Sequence, residues 1–130
     1  MKESSEYSII TDNDRILFEP IKRSFLSNHF SSERKIKSNG IVMGLRKNGY
    51  KIDDAGFRRI IGYLRSIDYF NPGFVLSDIN GYWYSEDISE MKRFYSSMKF
   101  RALSILHNIK PIYQKLKISE KEETSLFETL

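Results

Sequence analysis

Apolar residues recur at steps of three and four along most of this chain, with one stretch where the step shortens to two. The clearest run is residues 53–68, DDAGFRRIIGYLRSID, where Phe57, Ile60, Ile61, Leu64 and Ile67 share one side of a helix. Arg58, Arg59, Gly62 and Ser66 fall on the other side. Asp53 is placed to accept hydrogen bonds from the first free N–H groups, and Asp54 meets the positive end of the helix dipole. The pattern predicts a short, capped helix with an arginine-bearing outer face.

Upstream, Ile16, Leu17, Ile21, Phe25, Leu26 and Phe30 keep helical spacing, and Pro20, tolerable only near a helix start, puts a first helix at about 20–29. Residues 35–37 are read as a short strand. Ser38 then reads as the N-cap of a second helix with Ile41, Val42 and Leu45 inward, ended by Asn48 and Gly49. Two short helices joined by a tight Gly-containing turn, the second exposing arginines, outline a helix-turn-helix.

After the break at Asn71, Pro72 and Gly73, the segments 74–77 and 82–85 read as strands around an Asn80-Gly81 turn. A hairpin directly after a recognition helix is a wing. From Ser85 or Ser89 onward, Met91, Phe94, Met98, Ala102, Ile105, Ile109, Ile112 and Leu116 predict one long amphipathic helix, interrupted or bent at Pro111. The expected fold class is α+β, mainly α with a small β-hairpin: a winged helix-turn-helix with a long C-terminal helix. Its parts are a flexible N-terminal arm at 1–14, the winged domain at 15–85, the long helix at 86–118 and an acidic tail at 119–130.

Composition narrows the class. With 130 residues, 40% hydrophobic and 14% aromatic, the chain suits one domain with tails, and without cysteine neither a disulfide framework nor a Cys-based zinc site is possible. No apolar run approaches a membrane span or a secretion signal, so a cytoplasmic protein with no membrane partner is expected. The net charge of +4 hides a basic body: residues 15–117 hold 19 Lys and Arg against 9 Asp and Glu, a difference of +10. That surplus suits a polyanion such as duplex DNA.

Candidate contacts follow from residue chemistry. Arg58 and Arg59 are assigned to guanine edges and phosphate, since arginine donates two parallel hydrogen bonds to guanine; Ala55 and Gly62 are placed in the same interface. Lys37, Ser38, Asn39 and Lys51 flank the helix ends as phosphate contacts. Asn80 and Tyr82 are the wing contacts, beside an Asp78 tip that carries no cation. Arg65 is read as a DNA contact or as structural, pairing for example with an acid of the C-terminal helix. Met91, Phe94, Met98, Ile105, Ile109 and Ile112 form a near-heptad seam, read as dimerisation in preference to packing on the first helix of the same chain. A dimer would address half-sites about one DNA turn, ~34 Å, apart. His29 and His107 lie far apart and no phosphate loop, nucleophile triad or metal spacing is present, so neither catalysis nor a cofactor is expected.

The run Phe57-Arg58-Arg59-Ile60-Ile61-Gly62-Tyr63-Leu64-Arg65, followed by Asn80-Gly81-Tyr82-Trp83 and then Met98, Arg101-Ala102 and Ile105-Leu106, resembles small winged-helix proteins encoded by bacteriophages and prophages. In that family an aliphatic-Arg-x-x-Ile-x-x-Leu-Arg helix precedes a Gly-Tyr hairpin and a C-terminal helix. The resemblance covers about residues 35–109 and implies a DNA-binding protein of phage transcription control or replication, acting in the bacterial host cell. The rival expectation is a protein-interaction module on the same fold that docks a host or phage protein, such as a polymerase or nuclease component. Its support is the acid at the start of the recognition helix, the uncharged aromatic wing and the acidic tail.

Overall fold

The computed structural model of the chain describes residues 10–116. Two compact units divide it, one ending at Met91 and one beginning at Lys92. The first contains α1 (Asp12–Ile16), α2 (Phe18–Ser27), α3 (Ser38–Lys47), α4 (Asp54–Ser66) and an antiparallel pair, β1 (Phe74–Asp78) with β2 (Gly81–Ser85). α5 (Ile88–Leu116) begins in the first unit and continues through the second. The fold is therefore mainly helical with one small two-stranded sheet.

α4 forms where the apolar period placed it. The Asp53 carboxylate accepts the Gly56 N–H at 2.7 Å, and Phe57, Ile60, Ile61 and Leu64 are buried. Ile67, expected on the same buried face, sits past the last turn as the C-cap and is 47% exposed. The buried side of α4 meets Leu17, Ile21 and Phe25 from α1 to α2, Ile41, Val42 and Leu45 from α3, and Ile52, Phe70 and Val75 in one core. Leu26 and Ile16 keep the helical period but lie outside that core.

Four local expectations are corrected. Ser38 lies inside the first turn of α3, and the cap position is Lys37, which makes no side-chain cap hydrogen bond. α5 is capped by neither Ser85 nor Ser89: the Asp87 carboxylate accepts the N–H groups of Ser89 at 2.7 Å and Glu90 at 3.3 Å. A carboxylate satisfies these donors and complements the helix dipole together, which a serine hydroxyl does not. The interruption at Pro111 is not found, since α5 runs through that residue as one helix. The expected strand at 35–37 contracts to a single bridge at Ile36, whose N–H and C=O both pair with Tyr82, at 2.9 and 2.8 Å.

The N-terminal region is more structured than its lack of period suggested. Thr11 and Asp14 form a reciprocal capping box that starts α1, and Asp14 is buried. Residues 1–9 of the expected arm, the acidic tail and the end of the expected helix at 117–118 lie outside the described residues.

The Ile36 bridge makes Gly81 a fixed point. Its φ is +142°, and a Cβ there would stand 2.7 Å from the Ile36 carbonyl oxygen. Backbone cannot yield as a side-chain tip can, so Gly81→Ala is expected to lower stability by about 2 kcal/mol in urea denaturation, from backbone strain and the clash together.

Candidate nucleic-acid interface

The residues expected at the DNA face divide into those that remain outside and those taken up by the fold. Arg59 belongs to the second group. Its guanidinium grips the Asp14 carboxylate, Nη2 at 3.0 Å from Oδ1 and 3.1 Å from Oδ2, with Asp14 only 5% exposed. The expected outward position of Arg59 is thereby corrected, because a buried carboxylate outcompetes solvent for a fork-shaped cation. Burial alone would raise the Asp14 pKa. The hydrogen bonds from Arg59 and from the Thr11 N–H outweigh it and hold the carboxyl below the usual aspartate range.

Arg65 is likewise half-buried and tied into the fold. Its Nε donates to the Val75 carbonyl at 2.8 Å and its Nη2 to Ser77 Oγ at 3.1 Å, fastening β1 to α4. Tyr82, expected as a wing contact, is half-buried, with its ring edge-on to Phe57 at 5.3 Å between centroids. Tyrosine on the inner side of a two-stranded sheet is drawn to the core by its apolar ring, so the Gly-Tyr pair of the hairpin is a packing device. Lys35, unassigned by sequence reasoning, closes on Asp78 at 2.6 Å and lies over the Trp83 ring at 4.6 Å. That ammonium hydrogen bond is the main reason the Asp78 carboxyl is held below its ordinary range.

The remaining residues converge. Lys37 donates from Nζ to the Ile79 carbonyl at the hairpin tip, 3.2 Å. Its neighbour Ser38 donates from Oγ to Asp54 Oδ1 at 2.6 Å, and Asp54 in turn pairs with Arg58 one turn along α4. Hairpin tip, α3 N-terminus and outer side of α4 are thus linked by consecutive contacts: Ile79, Lys37, Ser38, Asp54, Arg58. Arg58 keeps 66% side-chain exposure; Asn39, Ala55 and Asn80 are exposed as well, and Gly62, farther along α4, is half-buried.

The α3 N-terminus differs chemically from those of α1 and α4, and from that of α2, which also lacks a side-chain cap but carries Glu19 in its first turn. α1 has its capping box and α4 has Asp53 and Asp54, whereas α3 has neither a side-chain cap nor an acid in its first turn. A helix start of this kind presents N–H donors and the positive dipole end to an incoming anion. Lys51 lies apart from these contacts, in an open groove of about 600 Å³ that it lines with Asn13, Asp14, Arg46 and Arg59. The expected phosphate contacts Lys37, Ser38 and Asn39 are therefore together and Lys51 is not among them.

Of the expected dimerisation residues on α5, Met98, Ile105, Ile109 and Ile112 are exposed, while Met91 and Phe94 are half-buried. Among the described residues no helix is long and apolar enough to cross a membrane, and no group of three or more His, Asp or Glu could hold a metal ion.

Asp14 and Lys35 were the contacts that sequence reasoning missed. Each pairs with a residue more than 40 positions away, Arg59 and Asp78 respectively, and such distant pairs leave no local periodicity to read. Taken together, fold and site define a small α+β protein with an exposed polar patch where a hairpin tip meets the starts of two helices. Compared with family models, with curated proteins and with solved structures, the chain gives no match in any of the three comparisons.

Proposed function

We propose that this chain is a phage-type winged-helix regulator of transcription or replication that binds duplex DNA through the α3 start, the outer side of α4 and the hairpin tip. The observation that carries the reading is the start of α3, which has no side-chain cap and no acid of its own in its first turn, beside Lys37 and in one chain of contacts with Asp54 and Arg58. Such a start takes a backbone phosphate, and it positions the neighbouring helix against base edges. The order of elements supports it: a helix, a bridge at Ile36, two helices and a hairpin pinned to that bridge follow the winged-helix arrangement. In this reading Arg58 is the base-reading residue, and Lys37 with Ser38 and Asn39 holds phosphate. Asp54 competes with DNA for Arg58, so binding proceeds by exchanging one partner of the guanidinium for another.

A gel-shift titration on duplex DNA at two salt concentrations tests this. Arg58→Ala is expected to weaken binding by more than about 1 kcal/mol and to relax sequence preference. Lys37→Ala is expected to weaken binding across all sequences and lower the salt slope by about one. Both side chains are exposed, so thermal stability should stay near that of the parent. Unchanged affinity in both variants would overturn the assignment. The binding species is read as a homodimer, supported by the exposed apolar positions of α5.

One observation favours a second reading. Ile79, at the hairpin tip, is 91% exposed, and no lysine or arginine lies between β1 and β2. An apolar tip suits a protein partner, and a stoichiometric complex with a polymerase or nuclease component, in a chain with no affinity for duplex DNA at low salt, would decide for it.

A further inference from the structure

We infer that two copies of this chain associate through an antiparallel coiled coil of α5, a specific form of the homodimer read above that does not depend on DNA binding. The evidence is a heptad without a break. Met91, Met98, Ile105 and Ile112 repeat every seven residues, and Tyr95, Ala102, Ile109 and Leu116 repeat every seven residues beside them, offset by four. Alternating steps of four and three over the described part of the helix are the signature of a seam that faces another helix along its whole length. Six of these positions, Tyr95, Met98, Ile105, Ile109, Ile112 and Leu116, are between 39% and 65% exposed. Phe94 stands one position off this seam, and Pro111 falls on the outer side of the heptad, where its ring does not enter the interface.

Side-chain volume sets the direction. In a parallel pair each residue meets its own copy, so Ala102 would face Ala102 and leave a gap, while Tyr95 would face Tyr95 and crowd the next layer but one. Run antiparallel, the same seam pairs Ala102 with Ile105, Met98 with Ile109, Tyr95 with Ile112 and Met91 with Leu116. Small then faces large, which narrows the spread of layer volumes toward what close packing requires.

Charge permits this direction. Along the flanks of the antiparallel seam Lys92 and Lys99 face Tyr113 and Leu106 of the second copy, and Arg101 and Lys115 face Asn108 and Phe94. Every flanking cation meets an uncharged side chain, and two of them meet an aromatic ring. The opposed helix dipoles add to the preference.

Because the chain lacks cysteine, single substitutions read the geometry directly. Full-length Met98→Cys and Ile109→Cys proteins, one carrying a tag so that their disulfides differ in mass, are mixed and oxidised. The expected product is the mixed disulfide. Each alone should form none, since the same position in two antiparallel copies is offset by 11 residues, about 16 Å of helix, far beyond the ~7 Å limit for a disulfide. Light scattering of the parent should give a dimer that Ile105→Glu converts to monomer, while Phe100→Ser, a more exposed apolar site off the seam, leaves the dimer unchanged. Disulfides of each variant with itself, in a dimeric protein, would overturn the antiparallel arrangement and leave the homodimer reading standing. A monomeric parent would overturn both, and loss of dimer in Phe100→Ser but not in Ile105→Glu would overturn the seam.

Discussion

Phe57→Ala is expected to cost about 3–5 kcal/mol and to leave the first unit largely unfolded at 37 °C. Phe57 has no solvent exposure. It stands in the first turn of α4, inside the core that α2, α3 and β1 also enter, with Tyr82 of β2 against its ring. Removing the ring withdraws its transfer free energy and leaves a cavity on which helices and hairpin cannot all close at once. Phe57→Leu, which keeps an apolar side chain of similar volume, should cost about 1 kcal/mol. Urea denaturation followed by circular dichroism measures both, and an Ala variant within 1 kcal/mol of the parent would show that the hairpin does not depend on this contact.

Arg59→Ala is expected to be the second most damaging change, at about 3 kcal/mol, the low end for breaking a buried pair because Arg59 keeps 29% exposure. The cost comes from Asp14, a carboxylate left in the core edge without its cation. The double variant Asp14→Ala with Arg59→Ala should recover part of the loss, and a double-mutant cycle gives the coupling. The same pair predicts a pH dependence. The native Asp14 carboxyl is held below its ordinary value, so its stabilising contribution is complete above about pH 4. It is lost as pH falls from there through the lowered native value, because the unfolded chain then binds a proton that the folded one refuses. Denaturation midpoints measured from neutral to acid pH should fall more steeply in the parent than in the double variant.

These two predictions also separate stability from binding. Arg58 and Arg59 are adjacent and chemically identical, and the sequence assigned both to DNA. The structure gives them different surroundings, with Arg59 against buried Asp14 and Arg58 in solvent beside Asp54. Arg59→Ala should therefore act through unfolding, and Arg58→Ala through DNA affinity alone.

Much of the fold was legible because it is written locally. The three- and four-residue period fixed α4, the Asp53 cap fixed its start, and Asn80-Gly81 fixed the hairpin, whose register from Phe74 opposite Ser85 to Asp78 opposite Gly81 follows. The start of α5 was legible only to within a few residues, since Ser85, Asp87 and Ser89 are all competent caps and the geometry chose the carboxylate. The site was less legible. Lys37, Ser38 and Arg58 were named from residue type and helix ends, but nothing local tells that Lys35, Arg59 and Arg65 are consumed by Asp78, Asp14 and the Val75 carbonyl.

By itself, then, the sequence determined the four longer helices, the hairpin and the basic character of the chain, because periodicity, capping and turn chemistry act between residues a few positions apart. Only the tertiary structure decided which cations face outward. A salt bridge such as Asp14 with Arg59 joins residues 45 positions apart, and its formation depends on where the core sets α1 against α4. The unbroken heptad of α5 was in the sequence throughout, and what the structure added is that six of its apolar positions, from Tyr95 to Leu116, are exposed among the described residues.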